Sequence, residues 1–243
     1  MTTGTIPPKT ARYVWPKRPP ALSHEQEVAR EAFMKLWHEE LPSRYSIVER
    51  FNHGALSRLP ETRERWRTLE IGSGIGGHLP FEDLSKQEYH CLEYRNEFCD
   101  VLRGLDGVEA VHEASIEGRT PFPDGSFDRI VAIHVLEHLR DLPKAIVEIK
   151  RLLADDGTLD VVLPCEGSFA YSIARRISAK RMFESRFGMS YDPIIANEHV
   201  NTLDEVLHLL LADFEPLQTK RFPFNVPIDA VNLCIALRLK KRA

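Results

Sequence analysis

Three observations predict an α/β fold: a mostly parallel sheet with helices on both faces. Thr68-Leu-Glu-Ile-Gly-Ser-Gly-Ile-Gly-Gly77 is a short apolar strand running into glycines at alternate positions, Gly72, Gly74 and Gly76. Such a loop has no Cβ atoms to hold a ligand away from the backbone. A second strand-like stretch, residues 88–94, ends on the acid Glu93 roughly twenty residues after the glycine loop. In a βαβ unit that spacing brings a carboxylate to the tip of the next strand, within reach of a ribose diol. Finally, strand-like and helix-like stretches alternate through the middle of the chain.

In chain order, residues 1–22 read as a flexible proline-rich arm carrying Pro7, Pro8, Pro16, Pro19 and Pro20. Ser23 followed by Gln26 forms a capping box that opens a helix to about Glu40, with Ala29, Phe33, Leu36 and Trp37 on one face. A second helix over Ser43 to Leu59 would bury Tyr45, Ile47, Val48 and Phe51, so residues 23–60 form an N-terminal helical cap. Residues 61–243 form the main domain. Its strands fall near 67–71, 88–93, 108–112, 128–133 and 158–163, and its helices near 76–86, 95–104 and 141–153. Asn201-Thr-Leu-Asp-Glu205 opens another capped helix, and two last strands lie near 214–223 and 231–239. The stretch 164–200 is too long for a plain link, and we read it as a substrate-covering insert. Within it Phe169, Ile173 and Ile177 keep helical spacing, and Arg175, Arg176, Lys180, Arg181 and Arg186 make the helix basic. That pattern suits a lid helix, an anionic acceptor or an anionic membrane surface.

Composition narrows the function. The net charge of −4 gives no global drive toward nucleic acid; DNA is excluded as a partner and RNA is disfavoured. Cys91, Cys99, Cys165 and Cys234 form no CxxC pair, so free thiols in a cytoplasmic protein are expected. No apolar run reaches the length of a membrane span, which leaves peripheral contact with the inner face of a membrane as the only membrane association.

The motifs, in order, are Glu70-x-Gly-x-Gly-x-Gly76, Glu93, Phe122-Pro-Asp-Gly-Ser-Phe-Asp128, Val135-Leu-Glu-His-Leu139 and Leu152-Leu-x-x-x-Gly-x-Leu159. With them the chain resembles the class I S-adenosylmethionine-dependent methyltransferases, in the group that includes ubiquinone-type O-methyltransferases. The resemblance covers about residues 66–165. It implies a Rossmann-like seven-stranded sheet with an antiparallel last strand. It also implies S-adenosyl-L-methionine as cofactor and transfer of a methyl group to a hydroxyl or amine of a small-molecule or glycan acceptor, anionic or lipid-linked. Cofactor contacts are expected from Glu70, Gly72, Ser73, Gly74, Gly76, Glu93, Tyr94, Ser115, Ile116 and His134. Ser115 stands where the family more often has Asp.

Catalysis would rest on His134 or His199 as general base, because imidazole titrates near neutral pH. His134-Val-Leu-Glu-His138 formally matches the HxxEH pattern of zinc peptidases, but it follows a buried strand rather than lying on a long helix. No metal is assigned. The resemblance nevertheless names Glu137, His138 and His199 as the residues a divalent metal would use, since some relatives hold one with a Glu-His pair and a later His. His90 and His112 lie within strands and read as structural.

Overall fold

The computed structural model describes residues 13–44 and 46–242, with residues 37–44 and 46 described by their backbone alone. Its sheet has seven strands in the order β3-β2-β1-β4-β5-β7-β6. These are β1 (Trp66–Ile71), β2 (Gln87–Glu93), β3 (Ala110–Glu113), β4 (Phe127–Ile133), β5 (Leu153–Pro164), β6 (Phe214–Phe222) and β7 (Cys234–Lys241). Strands β1 to β5 pair in parallel, and β7 runs antiparallel between β5 and β6. Strand order reverses between β1 and β4, and the crevice at such a switch point is where open α/β sheets bind ligands. β1 and β4 are buried almost throughout, as the apolar runs in sequence require of a sheet covered on both faces.

Eight α-helices are described: α1 (His24–Arg44), α2 (Ser46–Gly54), α3 (Asn96–Arg103), α4 (Leu142–Leu152), α5 (Phe169–Arg175), α6 (Arg181–Phe187), α7 (Asp192–Glu198) and α8 (Leu203–Asp213). A π-helical turn, Arg176–Lys180, joins α5 to α6. The Ser23–Gln26 capping box forms as its sequence dictates, and Thr202 with Glu205 caps α8 in the same way. The main core packs α4 and α8 on the sheet through Leu142, Ile146, Ile149, Val206 and Leu210. A separate cluster joins α1 (Ala29, Phe33, Leu36) to α6 and α7 (Phe183, Ile194, Ile195), with Tyr191 between them. The N-terminal helix and the insert thus share one small core of their own.

Four expectations need correction or qualification. No α-helix covers 76–86; two short 3-10 turns, Leu79–Phe81 and Leu84–Lys86, replace it. Pro80 lacks the N–H that an α-helix needs there, and Gly76 sits at φ 83°. Ile47 is exposed rather than buried. The Trp37 and Tyr45 side chains lie outside the described residues, as do residues 1–12 of the arm. From Tyr13 onward the arm is fastened: Trp15 Nε1 donates to Asn201 Oδ1 at 2.9 Å, and Lys17 pairs with Glu205. All four cysteines are free and buried. Among the described residues no helix is long and apolar enough to cross a membrane.

Candidate active site

The glycine loop leaves β1 at the switch point. Gly72, Gly74 and Gly76 have φ of 64°, 55° and 83°, in the left-handed region where a Cβ is strained. Two of them are also sterically fixed. A Cβ on Gly72 would lie 2.6 Å from Val135 Cγ2, and one on Gly76 would lie 2.5 Å from Leu105 Cδ1. A Cβ on Gly74 would meet nothing within 4 Å, so this glycine borders open space, as backbone approached by a ligand should.

Glu93, at the end of β2, clasps this loop. Its Oε2 accepts from Gly74 N at 3.0 Å, and its Oε1 accepts from the backbone N–H groups of Tyr94 (2.9 Å) and Arg95 (3.0 Å). Tyr94 is exposed beside it, and the Arg95 guanidinium lies 5.3 Å from the Tyr94 ring centroid and 5.0 Å from that of Phe98. After β3, Ser115 is exposed and its Oγ accepts from Glu117 N, whereas Ile116 is buried in the main core. Ser73 is buried and its hydroxyl donates to Glu70 O.

Glu70, expected among the cofactor contacts, lies at the root of the loop. Its side chain is buried beneath the loop and accepts from the Tyr89 hydroxyl at 3.1 Å. Burial pushes its carboxyl up to about 6, against the pull of His78 and of the Tyr89 hydrogen bond. His90 and His112, expected to be structural, hydrogen-bond each other at 3.1 Å within the sheet.

Across the switch point, beyond the ends of β4 and β5, three histidines and three glutamates gather. His134 has φ 53°, and its Nδ1–H donates to the buried Glu137 at 3.2 Å. Burial alone would lower the His134 pKa, but Cys234 and Glu137 beside it raise it well above the usual imidazole range. Glu137, despite burial, is held below the usual carboxylate range by His134 and His138. His138 Nδ1–H donates to the Glu198 carbonyl at 2.9 Å. His199 Nδ1–H donates to Glu166 Oε2, also at 2.9 Å, and Arg175 holds the other oxygen of Glu166. The His138 and His199 rings meet edge to face at 4.8 Å.

His138 also turns its Nε2 toward Glu137, 3.9 Å from Oε1, and among the described residues Glu137 Oε2 is buried without a hydrogen-bond partner. The ligand atoms of Glu137, His138 and His199 lie within 4.8 Å of one another, so this donor set fits a divalent metal. Two imidazoles and one carboxylate would suit zinc. Sequence reasoning missed Glu166, Arg175 and Glu198. Glu166 follows β5 by two residues, at the C-terminal edge where α/β sheets carry their sites, and that position was the available signal.

Residues 69–161 match the model of a methyltransferase domain family. The chain is 31% identical over 110 residues to ajmaline N-methyltransferase of Rauvolfia serpentina, covering 42% of this chain and 37% of that one. It is 30% identical over 108 residues to an uncharacterized methyltransferase, YcgJ, of Bacillus subtilis, covering 43% of each. The matched region therefore spans less than half the length of these relatives. By structure the chain is similar to a Burkholderia thailandensis 1,6-didemethyltoxoflavin-N1-methyltransferase with bound S-adenosylhomocysteine. The TM-score is 0.53 at 17% identity, covering 93% of both chains, a likeness of fold.

Proposed function

We propose that this chain is a class I S-adenosylmethionine-dependent methyltransferase that transfers a methyl group to a hydroxyl or amine of a small-molecule or glycan acceptor, anionic or lipid-linked; the methyltransferase-domain match over residues 69–161 supports the reading. Bound S-adenosylmethionine supplies an electrophilic methyl. Gly72, Gly74, Gly76 and Glu93 would hold it, with Tyr94, Ser115 and Ile116 toward the adenosine end and His134 toward the methyl. The observation that carries this reading is the Glu93 clasp on Gly74 at the switch point between β1 and β4. The rest of the rate comes from alignment of acceptor and methyl, a proximity effect worth about 7–11 kcal/mol at most.

His199 is the general base in this reading. Its Nδ1–H is committed to Glu166, which leaves Nε2 as the acceptor of the substrate proton. His134 fits the task less well, because its pairing with buried Glu137 favours the imidazolium. A second reading has Glu137, His138 and His199 hold a divalent metal that would lower the pKa of an acceptor hydroxyl. Zinc titration by calorimetry, with Glu137→Gln as control, separates the two: saturable binding that the variant loses favours the metal.

Calorimetry with S-adenosylhomocysteine tests the proposal itself. Wild type should bind in the micromolar range, and Glu93→Ala should weaken binding at least tenfold. No binding by wild type would refute it.

A further inference from the structure

The helical stretch Phe169–Phe187 carries two faces of opposite character. One is fastened: Ala179 and Phe183 are buried, and the Phe183 ring meets the Phe33 ring of α1 edge-on at 5.2 Å. The other is bare. Phe169 is 73% exposed and Ile177 70%, with Ile173 exposed between them. The segment Asp229–Val231, at the end of the β6–β7 loop, packs alongside α5, and Ser168 Oγ donates to Asn232 O where the two meet. That loop adds Phe224 (65% exposed), Ile228 (55%) and Val231. Apolar side chains exposed in this number on adjoining segments mark an interaction surface rather than the scattered exposure normal on a monomer.

Charge tells which surface. Five basic residues and one acid, Glu184, lie between residues 169 and 187, in a chain whose net charge is −4. Arg175 is spent on Glu166, and Lys180 on Glu184 and Asp192. Arg176, Arg181 and Arg186 are exposed, and no ion pair engages them among the described residues. Guanidinium groups set among exposed aromatic and aliphatic side chains match the boundary of an anionic bilayer, where apolar groups enter the acyl region and cations stay at the headgroups. We propose that the outer face of Phe169–Phe187 and the adjoining 223–231 loop dock on an anionic lipid bilayer.

The position of this face bears on the acceptor. Helix α5 begins five residues after β5 ends, and Arg175 on it holds Glu166, which in turn holds His199. Resting on the methyl-transfer reading, docking would set the acceptor side of the cleft against the membrane, suited to an acceptor anchored in lipid. The docking itself needs no acceptor and can be tested alone.

The experiment is co-sedimentation with large vesicles of phosphatidylcholine alone and of phosphatidylcholine with phosphatidylglycerol. It uses the full chain, a variant combining Ile177→Glu with Phe224→Glu, and a variant combining Arg176→Gln with Arg181→Gln. These side chains are exposed, so the fold should be kept; thermal melting and S-adenosylhomocysteine calorimetry on the same preparations verify it. Wild type should bind anionic vesicles at least tenfold more tightly than neutral ones. The apolar variant should lose at least tenfold on anionic vesicles, and the arginine variant should lose most of the preference for them. Three results overturn the proposal: no sedimentation of wild type, sedimentation that the variants share, or a wild-type dimer in analytical ultracentrifugation that the apolar variant dissolves without any lipid binding. Retained S-adenosylhomocysteine binding alongside any of these would leave the methyltransferase reading intact, so the two fail separately.

Discussion

Replacing Glu70 by Gln should stabilise this protein at neutral pH and leave its cofactor affinity nearly unchanged. Glu70 is buried and its carboxyl is raised from 4.5 to about 6, with burial as the main cause. A folded-state pKa above the unfolded one means that the folded state binds the proton more tightly. The favourable contribution is then complete below about pH 4.5 and is lost as pH rises through about 6. The shift of about one and a half units corresponds to about 2 kcal/mol by which ionised Glu70 destabilises the fold at pH 7. Gln cannot ionise, yet its carbonyl can still accept from the Tyr89 hydroxyl, which now lies 3.1 Å from Glu70 Oε2. Urea denaturation should give Glu70→Gln an advantage of about 2 kcal/mol at pH 7, shrinking to less than half of that at about pH 5 as wild-type Glu70 takes up its proton. S-adenosylhomocysteine calorimetry should read within about twofold of wild type if the side chain serves beneath the loop. A variant that is less stable at pH 7, or an advantage that does not shrink on acidification, would refute the burial argument. A tenfold loss of affinity would instead return Glu70 to the ligand face.

Other perturbations follow from the same geometry. Gly76→Ala places a Cβ 2.5 Å from the flexible end of Leu105 at φ 83° and should cost about 1–2 kcal/mol in denaturation, whereas Gly118→Ala, with no positive φ and no close neighbour, should be near neutral. Phe33→Ala removes the centre of the cluster shared by α1, α6 and α7 and should cost about 3–5 kcal/mol locally. Hydrogen exchange should then rise in 24–40 and 181–198 while amides of β1 and β4 stay protected. Arg129, wholly buried, donates to Asp160 and Glu82 at 2.7 and 2.8 Å, so Arg129→Met should cost about 3–5 kcal/mol by removing the buried cation from Glu82, which is left with Gln87 and His78, read as a lower denaturation midpoint.

The sheet was legible because local signals set it. Apolar runs of strand length, glycines between strand and loop, and turn chemistry at Pro123-Asp-Gly-Ser126 all act within a few residues. Glu93 was legible too, since its distance from the loop is a property of the βαβ unit. What escaped the sequence depends on contacts between distant segments. Residues 76–86 sit between two strands where a βαβ unit would place a helix, but Pro80 defeats the hydrogen-bond ladder and the chain settles for two short turns. Glu70 reads as a cofactor contact by position, and its hydrogen bond from Tyr89, nineteen residues on, is visible only in the fold. The shared core of α1 with α6 and α7 joins Phe33 to Phe183, and no pattern within either helix names the other as partner.

The N-terminal arm is likewise part of the framework around the histidine cluster. Asn201 is buried, and its side-chain amide is saturated from three directions: Nδ2 donates to Leu136 O at 3.1 Å and Leu139 O at 2.6 Å, and Oδ1 accepts from Trp15 Nε1. The backbone N–H groups of Val200 and Asn201 both donate to Glu137 O, at 2.9 and 3.0 Å. These bonds lock the turn carrying Glu137 and His138 to the loop carrying His199, which is how the two rings come to rest edge to face. Asp in place of Asn201 would lose both donors, and an apolar residue would lose all three bonds and leave buried carbonyls unpaired. Trp15 supplies the one bond from outside the sheet domain, and Lys17 fixes it twice more, through its backbone N–H to Arg140 O at 2.7 Å and its ammonium to Glu205. The spacing of the candidate base and its neighbours is therefore a tertiary property. Asn201 and the arm residue Trp15, 186 residues before it, lie outside the matched stretch 69–161, yet both take part in holding the His138–His199 pair in place.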